Sequence, residues 1–322
     1  MDLRQIEYFV QVAELGSFSK AAVALSMAQP ALSRQVKTLE MELGQALLLR
    51  NGRGVTLTDA GALFLKHGHG ILHQVQRARD ELSSSLGQVG GKIVVGLPPS
   101  LGLGLTAPLA SAFRNRFPDA ELAFVEGLSA HLAEWLMVGR IDLALLLNPD
   151  PRPEIDTAPV FEEPLFLISP HSSSADPDRD PDPGRPIEFR SLVDFPLVIP
   201  DRFHAIRRLV ETRAAHLGLR LKIAMEVASA DGMLDLVRLG FGHAVLPFSA
   251  LARRDVVTLY SARQIVEPRL PVLVTTAVSA VRPLTPLVTA MRERVTDLIR
   301  ELAAQWVGPA AARGPSRSHI GR

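Results

Sequence analysis

The chain has 322 residues, enough for about two domains, and 47% of them are hydrophobic, which is ample for buried cores. It has no cysteine, so disulfides, thiolate metal sites and thiol redox chemistry are excluded. The net charge of +1 argues neither for nor against a nucleic-acid partner. Charges scattered through the N-terminus, and the lack of an apolar run of about 18 residues, predict a cytoplasmic protein with no signal peptide and no membrane contact.

Residues 1–58 are predicted to form three short helices and a β-hairpin. An apolar stripe at spacings of three and four marks the first helix: Leu3, Ile6, Phe9, Val10 and Ala13. Ser17 or Ser19 is placed to cap the second helix. The third helix tolerates Pro30 in its first turn and ends at Gly44. The stretch "ALLLRNGRGVTLT" then predicts strand, turn and strand.

One face of the third helix is polar and poor in acidic residues. Leu32, Val36 and Leu39 point to a core, and the opposite face carries Gln29, Ser33, Arg34 and Lys37. In a helix-turn-helix the second helix enters the major groove, where Gln pairs with adenine, Arg with guanine and Ser with either. Lys37 suits a phosphate better. The alternative is a solvated helix face, which is the commoner meaning of such a pattern in an isolated helix.

The hairpin tip "RNGRG" favours the DNA-binding interpretation. It presents Arg50 and Arg53 beside glycines that allow close backbone approach to phosphates or to a minor groove. Taken alone, a basic hairpin tip is more often a solvated turn. Together, the polar helix face and the basic hairpin predict a winged helix-turn-helix.

Residues 59–90 are predicted to form one long helix followed by a hinge at "GQVGG". The helix carries a seam close to a heptad repeat, made by Phe64, Ile71, Val75, Ala78, Leu82 and Leu86. Such a seam needs a partner helix. In "HGHGILH", His69 and His73 are four residues apart, but no carboxylate or thiolate stands at a useful spacing, so no metal site is expected.

From residue 91 the pattern changes to alternating strands and helices, which predicts two similar α/β lobes. The first lobe is predicted at about 91–163 and 268–306, and the second at about 164–267. "EPLFLISP" and "RLPVLVTTAV" are placed to cross between them. Residues 171–186 are rich in Pro and Asp and read as a surface loop, and residues 307–322 as a disordered tail.

Residues 3–61 resemble the LysR-type transcriptional regulators, and the resemblance continues more weakly through the linker helix and the two α/β lobes, so that it covers nearly the whole chain except the tail. The motifs that carry the resemblance are "GSFSKAA", "QPALSRQ", "LEMELG" and "TLTDAG". The resemblance implies a winged helix-turn-helix in which Gln29, Pro30, Ser33, Arg34 and Lys37 approach DNA. It also implies a dimerising linker helix and a two-lobed effector domain similar to type 2 periplasmic binding proteins. Members usually assemble as homotetramers on bent promoter DNA, and activators among them contact RNA polymerase.

One departure from the family concerns the start of the recognition helix. The family often has a capping Ser immediately before "QP", where this chain has Ala28. A missing cap costs about 1 kcal/mol, so either another residue caps the helix or its start is less fixed.

The resemblance places an effector in the cleft between the lobes. Three loops match the family's pocket, and they contribute Ser100, Leu101, Ser129, Asp201, Arg202 and Phe203. Unpaired amides at helix N-termini favour an anion such as a carboxylate. The two serines are equally explained as plain helix N-caps, and an exposed arginine such as Arg202 is usually solvated.

No catalytic constellation, phosphate loop or cofactor motif is present, so we predict a regulator that is not an enzyme and needs no cofactor. One alternative is a solute-binding protein or ligand-binding enzyme that shares the α/β lobes, but it leaves residues 1–58 without a role. Another is a constitutive regulator without an effector. "RNGRGV", "GLPPS" and "EGLS" resemble family members of the nitrogen assimilation control type, for which an effector is not obligatory.

Overall fold

The computed structural model describes residues 1–52, 54–84, 91–171, 185–251 and 259–306. Several predicted features lie outside the described residues: Arg53, Leu86, most of the hinge, most of the 171–186 loop and the tail after residue 306. Within the described ranges, no helix is long and apolar enough to cross a membrane.

The N-terminal domain consists of three helices and a hairpin: α1 (Leu3–Leu15), α2 (Phe18–Ala24), α3 (Gln29–Leu43), β1 (Leu48–Asn51) and β2 (Gly54–Leu57). Ser17 caps α2, as one of the two sequence alternatives predicted, and Gly44 ends α3 in the left-handed conformation. Phe9, Leu32 and Leu39 have no exposed surface. Burying a side chain of this size contributes about 2 kcal/mol, so these three residues stabilise the packing of the helices.

The long helix α4 (Asp59–Ser84) follows the hairpin directly. Its N-terminal half packs on the first domain, where the Phe64 ring meets Phe9 edge-on at 5.3 Å between centroids. Further along the predicted seam, Leu82 is 76% exposed. The first part of the seam is therefore covered within the same chain, while Leu82 near the end of α4 is exposed.

The rest of the chain forms a two-lobed α/β domain. The first lobe contains β3 (Gly91–Leu97), α5 (Pro99–Arg116), β4 (Ala120–Glu126), α6 (Ser129–Val138), β5 (Leu143–Leu147), the first part of β6 (Ile155–Pro170), β12 (Pro271–Ser279) and α9 (Pro286–Trp306). The second lobe contains the remainder of β6, β7 (Ile187–Glu188), a 3-10 helix (Phe189–Asp194), β8 (Pro196–Ile199), α7 (Ala205–His216), β9 (Lys222–Glu226), α8 (Ala230–Arg238), β10 (His243–Pro247), a second 3-10 helix (Phe248–Leu251) and β11 (Tyr260–Val266). This mixed α/β architecture behind a helix-turn-helix confirms the predicted fold class.

A single sheet path connects both lobes, in the order β4-β3-β5-β12-β6-β10-β8-β9. Strand β6 pairs with β12 up to Pro164 and with β10 from Leu165 onward, so it passes from the first lobe into the second. The return crossing is made by residues 267–270, which join β11 to β12. The central strand β5 is buried along its whole length, which explains its continuous apolar sequence "LALLL".

Candidate DNA-binding face and effector cleft

The first turn of α3 has no side-chain cap. Ala28 occupies the N-cap position with extended backbone angles, φ −71° and ψ 129°, and Pro30 stands in the first turn. The alternative that another side chain supplies the cap is wrong. The N–H groups of Ala31 and Leu32 donate to the Ala28 carbonyl oxygen at 2.9 and 3.1 Å, and Pro30 has no N–H. The exposed N-terminus of the helix therefore favours a phosphate mainly through its positive dipole end.

The polar face of α3 is accessible along its length. Gln29, Pro30, Arg34 and Lys37 are exposed, and Ser33 is partly buried among them. Lys37 lies 3.5 Å from Glu40, one turn further along. The face thus presents amide, hydroxyl and guanidinium groups, which are the groups that read base edges.

Arg50 connects the hairpin to α3. Its guanidinium donates to Ser33 Oγ at 2.5 Å and lies over the Phe18 ring of α2, 4.4 Å from the ring centroid. Glu40 makes a second connection, because its Oε1 accepts from the backbone N–H groups of Leu47 and Leu48 at 2.8 and 3.1 Å. Sequence reasoning missed the fastening role of Glu40, since nothing in the local pattern shows which distant amides a carboxylate will meet.

In the first lobe, Ser100 and Leu101 lie in the first turn of α5 and are buried. The N-cap of α5 is Pro98, so Ser100 is not a cap, and its Oγ has no hydrogen-bond partner among the described residues. Leu103, one turn from the start of α5, packs against the hydrophobic core of the second lobe. A buried and unpaired hydroxyl therefore lies in a helical turn close to the boundary between the lobes.

Ser129 is the first residue of α6, and the N-cap is Leu128. Ser129 Oγ accepts instead from the backbone N–H of Leu147 at the end of β5, at 2.9 Å. The explanation of Ser100 and Ser129 as N-caps is wrong for both residues. This contact leaves the Ser129 hydroxyl proton available for donation.

The loop before α7 is held by its own side chains. Asp201 Oδ1 accepts from the Phe203 N–H at 2.8 Å, and His204 caps the helix by accepting from the Ile206 N–H at 3.2 Å. Burial lowers the pKa of His204, which keeps the ring neutral and able to accept. Arg202 and Phe203 remain exposed, with Phe203 at 80%.

A pocket of about 180 Å³ opens between the lobes, beside the N-terminus of α6. Its polar lining includes Ser129, Asn148, Asp150 and Arg152 of the first lobe and Arg208 of α7 in the second. Ser100, Leu101 and the Asp201–Phe203 loop do not line this pocket. Sequence analysis did not single out Arg152 and Arg208, because their segments are recognisable from the sequence only as a loop and a helix.

Two histidines that the sequence pattern singled out contact different parts of the molecule. His69 Nε2 lies 3.3 Å from a carboxylate oxygen of Glu14 in α1, and His73 Nε2 lies 3.0 Å from Asp142 Oδ2 in the first lobe. In the part of the chain that the structure describes, no three His, Cys, Asp or Glu side chains are grouped as metal ligands.

An exposed polar recognition helix, a hairpin fastened to it, a long helix and a two-lobed α/β domain with a cleft define a DNA-binding regulator with a ligand-binding domain. Two family models match the chain: the bacterial regulatory helix-turn-helix protein of the lysR family over residues 3–62, and the LysR substrate-binding domain over residues 86–300. The chain belongs to the LysR family of transcriptional regulators, as the sequence motifs indicated. The solute-binding alternative has no place for the matched N-terminal domain.

Similar proteins have the same organisation along nearly their whole length. The nitrogen assimilation regulatory protein nac of Klebsiella aerogenes is 30% identical, over 93% of this chain and 95% of the relative. The HTH-type transcriptional regulator BbuR of Bordetella bronchiseptica is also 30% identical, over 96% and 94%. The LysR family regulator CbnR has a similar structure, with a TM-score of 0.71 and 26% identity over 92% of this chain and 99% of CbnR. A full-length CbnR structure in complex with its target DNA matches with a TM-score of 0.69 and 25% identity, over 92% and 100%.

Proposed function

We propose that the regulator reads its promoter by placing α3 in the major groove, with Gln29, Pro30, Ser33 and Arg34 against base edges and Lys37 on a phosphate. The observation that carries this proposal is the exposed polar face of α3, which the hairpin holds through Arg50 and Glu40. A guanidinium has five N–H donors, so Arg50 holds Ser33 and still offers donors to the DNA backbone. We propose Arg53, which lies outside the described residues, as a further phosphate contact from its place in the sequence alone.

The effector proposal concerns the cleft between the lobes. The pocket is lined by Arg152, Arg208 and the N-terminus of α6, against one carboxylate, Asp150, which lies 4.0 Å from Arg208. The remaining positive character suits a small carboxylate. Ser100, Leu101, Asp201, Arg202 and Phe203 do not line this pocket, and we propose that they contact the effector when the ligand is larger or the lobes close further. A regulator that needs no effector is the second candidate. It is favoured by the similarity to the nac relatives over most of the chain, because the sequence motifs shared with that type of regulator suggested that an effector is not obligatory.

The assembly proposal is a homodimer, or a homotetramer of two such dimers, formed through the second part of the α4 seam. The 76% exposure of Leu82 supports it. The regulator acts in the cytoplasm without catalysis and without a bound cofactor. If it activates transcription, RNA polymerase is a further partner.

The test of DNA binding is retention of the chain's own upstream DNA on immobilised protein. We expect Arg34→Ala to weaken binding by about 1–3 kcal/mol and to relax the sequence preference, because one base contact is lost. Arg238→Ala, which removes an exposed arginine of the second lobe, is the matched control and leaves binding unchanged. Failure of the wild-type chain to retain this DNA at low salt would overturn the proposal.

A further inference from the structure

The linker helix α4 is closely packed on two of its faces within the stretch "HGHGILH". On one side, Gly68 faces α1, where an added Cβ would meet methyl carbons of Val10 and Ile6 at 3.1 and 3.3 Å. On the other side, Gly70 packs so closely on the end of α6 that an added Cβ would overlap the Val138 carbonyl oxygen. The missing side chains at these two positions allow α4 to contact the DNA-binding domain and the first lobe at the same time.

A buried polar cluster lies next to this close packing. Asp142, just before β5, accepts from His73 of α4 at 3.0 Å and from the Val94 N–H of β3 at 2.8 Å. Arg77, one turn after His73, approaches Asp142 at 3.8 Å and donates to the Pro283 carbonyl oxygen at 2.7 Å. The cluster therefore attaches one turn of α4 to β3, to the segment before β5 and to the segment before α9.

The charges of this cluster depend on one another. Asp142 and Arg77 are 5% and 8% exposed, so the charge of each needs a counter-charge nearby. Arg282 also lies close enough to influence the charge of Asp142, and it donates to the Leu136 carbonyl oxygen at the end of α6. A tilt of α4 away from the lobe would separate these charges, and water would have to replace the lost partners. The cluster therefore favours one orientation of α4 on the first lobe strongly over slightly tilted ones.

Because α4 is also packed against α1, a contact that fixes α4 on the first lobe also affects the position of the DNA-binding domain. We infer that His73, Arg77 and Asp142 form a joint that fixes the orientation of the DNA-binding domain on the first lobe. Breaking the joint frees that orientation while both domains stay folded. The effect on DNA, in which the joint sets where each recognition helix meets its half-site, rests on the proposed function.

The absence of cysteine makes the orientation directly measurable, because engineered cysteines are the sole thiols. Spin labels on Met41→Cys of α3 and Asp119→Cys of the first lobe report one distance within a protomer. Dilution with excess unlabelled chain suppresses distances between protomers. Double electron–electron resonance (DEER) in the absence of DNA then gives the distribution of distances between the two labels. The result is therefore independent of whether the upstream DNA is retained.

Two variants break the joint and two matched controls spare it. Asp142→Asn removes the shared counter-charge, and Gly70→Ala pushes α4 away from Val138; both are expected to shift or broaden the distance distribution. Lys66→Ala removes the exposed 3.2 Å pair with Glu134, which joins the same helices α4 and α6. His67→Ala changes an exposed position of the same helix. Both controls are expected to keep the narrow distribution.

The outcomes separate clearly. An unchanged distribution in Asp142→Asn and Gly70→Ala overturns the joint, and so does equal broadening in all four variants, which would mean a loose connection without a specific contact. If circular dichroism shows that Asp142→Asn does not fold, Gly70→Ala and Arg77→Met decide on the same criterion. Loss of DNA retention by the wild-type chain would contradict the proposed function and leave the distance result standing.

Discussion

Glu163 carries a fully buried carboxyl group where β6 leaves the first lobe. Its Oε1 accepts from the Ser249 N–H at 2.6 Å, and its Oε2 lies 2.8 Å from Ser249 Oγ in the second lobe. Burial raises the pKa of Glu163 from 4.5 to about 7, against the opposing effect of the two Ser249 contacts. The two lobes are therefore connected by a carboxyl group that changes its charge near neutral pH.

This pKa shift makes stability depend on pH. The folded chain binds the proton more tightly than the unfolded chain, so the contribution is fully present below pH 4.5 and declines as the pH rises through about 7. We expect Glu163→Gln, which resembles the protonated acid, to be more stable than wild type at pH 8 by about 3 kcal/mol. At pH 4 the difference should disappear.

Urea unfolding across this pH range measures the effect. Glu162→Gln, at the exposed neighbouring position, is the control and should follow the wild-type curve. A Glu163→Gln curve parallel to wild type at every pH would show that the carboxyl group does not take up its proton on folding.

At the scale of elements, helix α3 of the DNA-binding domain begins without a side-chain cap. Ala28 already has the extended backbone that an N-cap requires, so Ala28→Ser should add a hydrogen bond to the first turn worth about 1 kcal/mol. We expect hydrogen exchange at the amides of Ala31 and Leu32 to slow about fivefold. Ala46→Ser, in the exposed segment after α3, is the control, and equal exchange in both variants would contradict the prediction.

The elements also show which parts of the fold the sequence determines locally. The spacing of Leu32, Val36 and Leu39 predicts the buried face of α3, and Gly44 predicts its end, because both signals depend on residues within a few turns. The pairing of Glu40 with the Leu47 and Leu48 amides has no such signal. Its partners are chosen by the packing of the hairpin, which follows only from the complete tertiary fold.

The same distinction applies to the candidate sites. The residue types on α3 indicated DNA binding because base recognition uses a small set of side chains at helical spacing. The cleft was placed by resemblance alone, and Arg152 and Arg208 were missed because they come from different lobes. His73 and Asp142 are separated by 69 residues along the chain, so the spacing of the histidines could not indicate that these two residues meet in the joint.

At the scale of the whole molecule, the pocket between the lobes predicts a response to carboxylates. A thermal shift screen of small mono- and dicarboxylates should raise the Tm of the wild-type chain, by an amount that corresponds to about 2.7 kcal/mol at a hundredfold excess over Kd. Arg208→Gln should abolish the shift, because Arg208 supplies the second lobe's charge to the pocket. Arg220→Gln, an exposed position away from the pocket lining, should retain it.

The screen also separates the two forms of regulation. A shift that persists in Arg208→Gln would place the ligand elsewhere in the molecule. The absence of any shift in a chain that still retains its upstream DNA would favour the constitutive regulator.

Strand β6 has a mechanical consequence for any such ligand. Because one unbroken strand is hydrogen-bonded to β12 in the first lobe and to β10 in the second, any opening or closing of the lobes has to bend or twist β6 and the 267–270 crossing. Twisting of the connected sheet is one such movement, in which the backbone ladders persist and the rotation is spread over many residues. Twisting hydrogen-bonded strands is opposed by an elastic restoring force. A ligand that binds between the lobes would therefore change the strain carried by the sheet.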